Sequence, residues 1–544
     1  MNLKEKPFYL SDEQVEHVKS TLAGMSTDEK IHQVFCIMGD ATPPEKRIEL
    51  AKACIGGILF RPARPTAEIR RDYFSLDEVA KIPLLHAANL EEGGAGAASD
   101  GTYFASQLQI AAGNSTECVE DFAAVCAMEG LKAGVNWTFS PVSDIDINFQ
   151  NPITNCRTFG SDGDRVAEFT CRFTETIQKY GIAAAAKHYP GDGVDYRDQH
   201  LHPTYNSLSA DEWRGSYGAI YKKQIEAGLM SVMVGHICQP ALEKEYNPNI
   251  GYGDCMPGTL SPVLLQKVLR GELGFNGLIT TDATIMGGFT MAMPRKKAIP
   301  SIIASGCDMI VFSTGIDDDI RYMREGLESG ILSNERLDEA VMRILALKEV
   351  VCKAPSVIPE VDAEALREKC ADKSVTLVKN ISDWLPLDKK RFKKIRLGYL
   401  GENDTWDGKL TELVGSEFEK RGFEVEYYNP FDDDFHRIDA IPEDRIIIEA
   451  LNYPPRSNWV TERLSWCPKH AIDSPKMIHE EPYIAVSFAN PYHLQDIPRV
   501  KCYINAYTAT KATARAVVEK LCGESEFEGI NPVDPFCGLE DTKI

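Results

Sequence analysis

The fold and the candidate site of this chain centre on one stretch, residues 184–200, which reads AAAKHYPGDGVDYRDQH. Its apolar run stops at Lys187 and His188 and passes into a turn-rich segment that is dense in ionisable side chains. This pattern predicts a buried strand whose end opens into a loop. Asp198 and His200 lie two residues apart, so in extended chain their side chains point to the same side and can hydrogen-bond. A carboxylate so placed can fix the tautomer of an imidazole and stabilise its protonated form.

Seven further apolar runs accompany this strand, and amphipathic segments separate them. The eight predicted strands are 33–38, 57–60, 82–88, 135–140, 182–187, 229–236, 278–281 and 309–313. Helical patterns include 119–133, 165–180, 209–227 and 262–271. Alternation of this kind favours parallel strands with crossover helices, and eight repeats predict a closed (β/α)8 barrel of the TIM type rather than an open sheet. Polar residues at the strand ends would then lie at the catalytic rim.

A second α/β region follows the barrel pattern. The segment 333–351 has apolar residues at helical spacing and predicts the last barrel helix, with Ser333 and Asn334 as capping candidates. Residues 353–372 begin with prolines and acidic residues and are interpreted as a linker. Strand patterns then recur at 374–379, 395–399, 423–428, 445–450, 483–488 and 501–506, before a helix at 510–521. We therefore predict a barrel domain at 1–352, a linker at 353–372 and a smaller α/β sandwich domain at 373–544.

Composition excludes several classes of function. The 544 residues carry a formal net charge of −22, which disfavours a nucleic-acid partner because phosphates would be repelled. No run of 18 apolar residues is present, so no membrane span is expected. The first twelve residues are polar and lack the apolar core of a secretory signal. The fifteen cysteines are scattered and form no metal-ligand pair, so we expect reduced thiols, a cytoplasmic location and no metal or other cofactor.

Other candidate residues also follow predicted strands. Asp282 ends the run GLITTD (277–282), where a helix N-cap competes with a catalytic carboxylate at the barrel mouth. Arg157 lies in a loop after the fourth strand and is either a surface ion-pair partner or a ligand-binding residue. Asn89 and Glu91 follow the third strand before a glycine pair that suits a turn. Lys187 is the hardest to explain structurally, because a buried lysine is costly unless it is paired or binds a polar ligand.

Taken together, these motifs resemble the β-N-acetylglucosaminidase (β-N-acetylhexosaminidase) branch of glycoside hydrolase family 3. The motifs are the string KHYPGxG at 187–193, the Asp198-x-His200 pair, Thr281-Asp282 after a strand, the loop 155–160 and the strand start SVTLVKN at 374–380. The resemblance spans nearly the whole chain. It implies a glycoside hydrolase that acts on an oligosaccharide or glycoside, with a homodimer as a possible assembly.

The resemblance also implies roles for single residues. Asp282 would be the nucleophile that forms a covalent glycosyl-enzyme in retaining hydrolysis. His200 would be the acid/base and Asp198 would orient it, in place of the second carboxylate of most retaining glycosidases. The side chains that would bind the sugar of the first subsite are Lys187, His188, Arg157, Asn89 and Glu91. The predicted activity is release of terminal β-linked N-acetylglucosamine (GlcNAc).

Several positions depart from the family pattern. Asp192 stands where many members have His, Val194 where many have Asp, and Asp195 where many have Thr, so the loop charges are rearranged. Asn89 replaces an Asp that often grips sugar hydroxyls, and an amide loses the charge-assisted bond. Ala95 follows the glycine pair where the peptidoglycan-recycling enzymes have Arg, which argues against that role.

Other functions stay open at this point. Phosphate, rather than water, could attack the glycosyl-enzyme, and an imidazole acid/base suits such an anionic acceptor better than a carboxylate does. The same family also contains β-glucosidases and β-xylosidases, whose acid/base comes from the second domain. A non-catalytic sugar-binding descendant would require loss of Asp282 or of the Asp-x-His pair, and both are present. A metal enzyme is conceivable from the crowding of carboxylates and histidines at 188–202, but the hydrolase roles account for several of them.

Overall fold

The structure is a computed structural model that describes residues 1–353, 357–428, 441–458, 463–467, 471 and 478–544. These residues form two compact units. The first comprises Met1–Thr102, Val119–Asn151 and Gly163–Val361, and the second comprises Tyr103–Cys118, Pro152–Asp162 and Asp362–Ile544. Two stretches of the predicted barrel domain therefore group with the second unit.

The first unit is built on an eight-stranded parallel sheet that closes almost completely. Its strands are β1 (Phe35–Met38), β2 (Gly57–Leu59), β3 (Leu85–Ala88), β4 (Trp137–Thr138), β5 (Ala183–Tyr189), β6 (Ser231–Val234), β7 (Leu278–Thr281) and β8 (Ile310–Val311). Each strand from β1 to β6 pairs with the next along the chain, and β8 pairs with β1 through Phe35 and Ile310. A single bridge between Thr280 and Met309 joins β7 to β8. All eight predicted strands are present, and the predicted barrel is confirmed.

Helices connect the strands, as the alternating pattern predicts. Those of residues 1–353 are Asp12–Gly24, Thr27–Gln33, Pro44–Lys52, Thr66–Asp77, Gln107–Ala112, Thr116–Ala133, Gly163–Lys179, Ala210–Trp213, Ala219–Glu226, Pro240–Tyr246, Gly287–Thr290, Arg295–Ser305, Ile316–Glu328 and Asn334–Val351, with π-helical turns at Arg214–Gly218 and Val263–Glu272. The predicted cap of the last helix is correct, because the Ser333 side chain accepts from the Arg336 amide at 3.1 Å.

The second unit has a six-stranded mixed sheet with its own apolar core. The strands are β9 (Thr376–Asn380), β10 (Lys394–Gly401), β11 (Glu424–Tyr427), β12 (Arg445–Asn452), β13 (Tyr483–Ser487) and β14 (Cys502–Asn505). Their spatial order is β9-β14-β13-β12-β10-β11, and only β9 runs antiparallel to its neighbour. Helices Ala363–Ser374, Leu410–Lys420 and Lys511–Leu521 accompany the sheet. The predicted second α/β domain is thus present.

One segment differs from its sequence interpretation. The range 353–372, interpreted as a linker, contains most of the helix Ala363–Ser374. Asp362 caps this helix by accepting from the Ala365 amide at 3.1 Å, and Arg367 is buried on it. The prolines that suggested a linker, Pro355 and Pro359, lie before the cap, whereas most of the acidic residues cap the helix or belong to it, so the composition of the whole range obscured the helix start. The domain boundaries themselves stay a prediction.

Candidate active site

Lys187 lies near the end of β5, and its ammonium group is partnered across the barrel mouth. The side chain is only 4% exposed and forms an ion pair with Glu91. Its Nζ also donates to Asn89 Oδ1 at 3.3 Å. Glu91 and Asn89 follow β3, so the structure brings together three of the residues that the sequence singles out. The paired carboxylate offsets the penalty of burying the lysine charge.

His188 lies between two carboxylates. Its Nδ1 donates to Asp144 Oδ2 at 2.7 Å, and its backbone amide donates to Asp144 Oδ1 at 3.1 Å. The hydrogen on Nδ1 leaves Nε2 facing Asp282 Oδ2, 3.8 Å away. Asp144, whose side chain is fully buried, therefore sets the tautomer and the direction of the His188 ring.

Asp282 directly follows β7 and is held by main-chain bonds. Its amide donates to the Val234 carbonyl at 2.8 Å, and its Oδ1 accepts from the Ala283 amide at 2.7 Å. Burial raises the pKa of Asp282, but electrostatic attraction from the neighbouring histidines, His188 above all, and the hydrogen bond from the Ala283 amide more than offset burial and leave the pKa below its ordinary value. The carboxylate is consequently ionised at neutral pH, as a nucleophile must be.

Asp198 and His200 form the predicted pair. Asp198 Oδ1 accepts from both the backbone amide and Nδ1 of His200, each at 2.7 Å. The chain turns here instead of running extended, because the Asp198 carbonyl accepts from the amides of Leu201 and His202. The His200 side chain is 23% exposed while that of Asp198 is fully buried. Nε2 of His200 is therefore the ring atom left for a substrate.

The nucleophile loop and the acid/base loop contact each other. The amide of Gly287 donates to the His200 carbonyl at 2.7 Å, and that of Gly288 donates to the Gln199 carbonyl at 3.0 Å. A Cβ at Gly287 would lie 2.3 Å from the Leu201 carbonyl oxygen, so only glycine permits this approach. The candidate nucleophile and the candidate acid/base are thus fixed with respect to each other through main chain.

Arg157 has a different position in the fold. It belongs to the segment Pro152–Asp162 of the second unit and ends the single-turn helix Asn155–Arg157. One guanidinium nitrogen donates to the Ile153 carbonyl at 3.3 Å. Its predicted role in sugar binding stays a prediction.

Two residues of the site escaped the sequence analysis. Asp144 follows β4, and His236 follows β6, so both obey the rule that polar residues at strand ends face the catalytic rim. His236 was included in a predicted strand and Asp144 was not singled out. Applying the strand-end rule to the sixth strand would have found His236, and applying it to the first residues after the fourth strand, and not only to Arg157 further along that loop, would have found Asp144.

Among the residues that the structure describes, no group of three or more His, Cys, Asp or Glu side chains is arranged to hold a metal ion. No helix among the same residues is long and apolar enough to cross a membrane.

Comparison with known proteins agrees with this geometry. A model of the Glycosyl hydrolase family 3 N terminal domain matches residues 26–347, which include every strand of the barrel. The chain belongs to glycoside hydrolase family 3. As a member of that family it is an enzyme of the glycoside hydrolase class, with a carbohydrate substrate.

Individual relatives carry more than one name. The family 3 chain is 37% identical over its whole length to the entire beta-N-acetylglucosaminidase/beta-glucosidase of Cellulomonas fimi. It is 32% identical over 192 residues, 34% of this chain and 50% of the relative, to a beta-hexosaminidase of Nitrosospira multiformis. A solved structure of a beta-glucoside phosphorylase, BglX, with 2FGlc bound is 40% identical, with a TM-score of 0.93 and 99% of each chain covered.

Proposed function

We propose that this family 3 enzyme removes terminal β-linked GlcNAc from glycosides with retention of configuration, through a covalent intermediate on Asp282. The observation that carries the proposal is the meeting of an ionised Asp282 with the His200–Asp198 pair at the carboxyl ends of the barrel strands. One group attacks the sugar while the other handles the proton, and these are the two roles that retaining glycosidases divide between two residues.

In the first step, Asp282 attacks the anomeric carbon and the glycosidic oxygen departs. His200, protonated on Nε2, gives that proton to the departing oxygen, and a covalent glycosyl-enzyme forms. The Asp198 carboxylate stabilises the cationic imidazole that this step requires and prevents the ring from turning. An imidazole is suited to the task because its ordinary pKa of about 6.5 lies near neutral pH.

In the second step, the neutral His200 takes a proton from an acceptor that attacks the anomeric carbon. With water as acceptor, the products are free GlcNAc and regenerated Asp282. We propose that Lys187, His188, Asn89 and Glu91 bind the sugar in the first subsite. Contacts of this kind speed the reaction only where they tighten in the transition state.

Phosphate as the acceptor is the second candidate. A carboxylate acid/base would repel a phosphate anion in the second step, whereas the imidazole of His200 carries no negative charge. The 40% identical structure is that of a beta-glucoside phosphorylase, which supports the same idea. Attack by phosphate on the glycosyl-enzyme would release Asp282 and yield a sugar 1-phosphate. A glucoside substrate is the corresponding alternative for the sugar, because one relative carries both names.

Initial rates on matched aryl β-GlcNAc and aryl β-glucose substrates, each with and without phosphate, test the proposal. We expect the GlcNAc substrate to be preferred, and we expect His200→Ala to lose most of its activity on poor leaving groups. If sugar 1-phosphate is the main product, the enzyme is a phosphorylase, the second candidate, and not a hydrolase. A preference for glucose together with an unaffected His200→Ala would overturn the assignment of the acid/base loop.

A further inference from the structure

Gln199 lies between the two members of the acid/base pair, yet its own side chain points elsewhere. It is fully buried, and both ends of its amide are bonded. Nε2 donates to Asp192 Oδ2 at 3.0 Å, and Oε1 accepts from the backbone amide of His236 at 2.8 Å. The carboxylate on one side and the N–H on the other leave only one orientation for the amide group.

Asp192 is fixed as the acceptor for that amide. Its Oδ1 accepts from Asn151 Nδ2 at 2.9 Å and from the Gly193 amide at 2.8 Å, and its own amide donates to Asp144 Oδ1 at 2.7 Å. Burial and the neighbouring Asp144 raise the pKa of Asp192 to about 6. Asp192 is also the position at which the loop departs from the histidine of many family members, so the structure gives this departure a role.

His236 links the other end of Gln199 to the nucleophile. Its Nε2 donates to the Ala283 carbonyl at 3.0 Å, one residue after Asp282, and its Nδ1 accepts from the Thr259 hydroxyl at 3.1 Å. These two bonds define a neutral ring with its hydrogen on Nε2, and burial lowers the pKa of His236 accordingly. A continuous chain of bonds therefore runs from Asp192 through Gln199 and His236 to the nucleophile loop.

We propose that Gln199 is a positioning residue that holds the acid/base loop so that His200 can deliver its proton at the bond cleaved by Asp282. The inference rests on the proposed function, because it assigns a purpose to the His200 loop. Backbone amides of Gly287 and Gly288 hold the same loop by its main-chain carbonyls. The Gln199 side chain holds it by bonds to Asp192, which follows β5, and to His236, which follows β6. Proton transfer depends steeply on distance, so a loop released by about 1 Å loses on the order of 100-fold in rate.

Gln199→Met tests this assignment, since it keeps the length of the side chain and removes both bonds. Catalysis by the acid matters for poor leaving groups and little for activated ones. We expect kcat/KM to fall about 10- to 100-fold for phenyl glycosides and less than about threefold for 2,4-dinitrophenyl glycosides. Gln178→Met is the matched control. That amide donates to the Gly228 carbonyl at 2.9 Å and accepts from the Met230 amide at 3.0 Å, just before β6 at the opposite end of the strand.

A double variant, Asp192→Asn with Gln199→Glu, supplies the rescue. The new amide at position 192 can donate to the new carboxylate at position 199, which still accepts from the His236 amide. We expect each single variant to show the steep leaving-group dependence and the double variant to recover most of the wild-type dependence. Structural damage alone would lower the rates on both classes of substrate to a similar extent.

The outcomes distinguish a failure of the positioning role of Gln199 from a failure of the acid/base role of His200. If His200→Ala shows a steep leaving-group dependence but Gln199→Met does not, the positioning role is wrong and the proposed function stands. If His200→Ala shows none, the acid/base assignment itself is wrong. Equal effects of Gln199→Met and Gln178→Met on the leaving-group dependence would also overturn the positioning role.

Discussion

At the scale of single residues, the site contains two hydrogen-bonded carboxylate–histidine pairs. Asp144 holds His188 and Asp198 holds His200, each through an Nδ1 bond of 2.7 Å. His188 faces Asp282 at 3.8 Å and keeps the nucleophile ionised, while His200 keeps its Nε2 for the leaving group. The two imidazoles are alike in their bonding and differ in what their free nitrogen faces.

The pH profile tests the part played by His188. The pKa of Asp282 lies below its ordinary value, and His188 contributes the largest of the lowering effects. The nucleophile must be deprotonated, so activity is lost as pH falls through this pKa. We expect His188→Gln to raise that pKa and to move the acid limb of kcat/KM to higher pH. An acid limb at the same pH in wild type and variant would contradict the assignment.

Sequence reasoning finds a residue when its role depends on neighbours along the chain. The spacing of Asp198 and His200 predicts their contact, which is present, although a turn and not an extended chain makes it. Gln199 gives no such signal, because its partners Asp192 and His236 converge on it only in the folded barrel. The positioning role of Gln199 is inferred from those two bonds, and no pattern in the neighbouring sequence indicates them.

At the scale of elements, the first turn of helix Gly287–Thr290 holds the acid/base loop in place. Its first two amides bond to the carbonyls of His200 and Gln199. The eight strands were predictable because buried apolar runs recur between amphipathic helices. The contact between the nucleophile loop and the acid/base loop was not predictable, because it depends on a close approach of two backbone segments that are 87 residues apart in the sequence.

Gly287→Ala tests that contact. The added Cβ would lie 2.3 Å from the Leu201 carbonyl oxygen and 3.0 Å from that of His200, so the acid/base loop must move. We expect kcat/KM to fall at least about tenfold on poor leaving groups, with a smaller loss on activated ones. Gly253→Ala is the control, because a Cβ there meets nothing within 4 Å. Equal behaviour of the two variants would contradict the role of Gly287.

At the scale of the whole molecule, the barrel buries a lysine whose charge has no carboxylate partner among the described residues. Lys348 is buried on the helix Asn334–Val351, and its Nζ donates to Gln33 Oε1 at 2.6 Å. Among the residues that the structure describes, no carboxylate lies within ion-pair distance of it. Burial lowers the pKa of Lys348 from 10.5 to about 8. The sequence shows a lysine on an amphipathic helix, which by itself predicts a solvated head group.

This burial makes the stability of the barrel dependent on pH. The unfolded chain binds the Lys348 proton more tightly than the folded one, so the charge destabilises the fold by about 3 kcal/mol below pH 8 and ceases to do so above pH 10.5. We expect Lys348→Met to gain stability over wild type at pH 7, with a gap that narrows as pH rises from 8 to 10.5. Thermal unfolding of both proteins across that range measures the gap. A gap that does not change with pH would contradict the buried charge.

The most direct measurement of the central claim is the site of the covalent intermediate. His200→Ala, supplied with a 2,4-dinitrophenyl β-GlcNAc substrate, should form the glycosyl-enzyme quickly and discharge it slowly, because the second step lacks its base. Rapid quenching, proteolysis and mass spectrometry should then place the sugar on the peptide that contains Asp282, and Asp282→Asn should abolish the adduct. A sugar attached to another residue, or rapid turnover with no adduct in His200→Ala, would contradict the account.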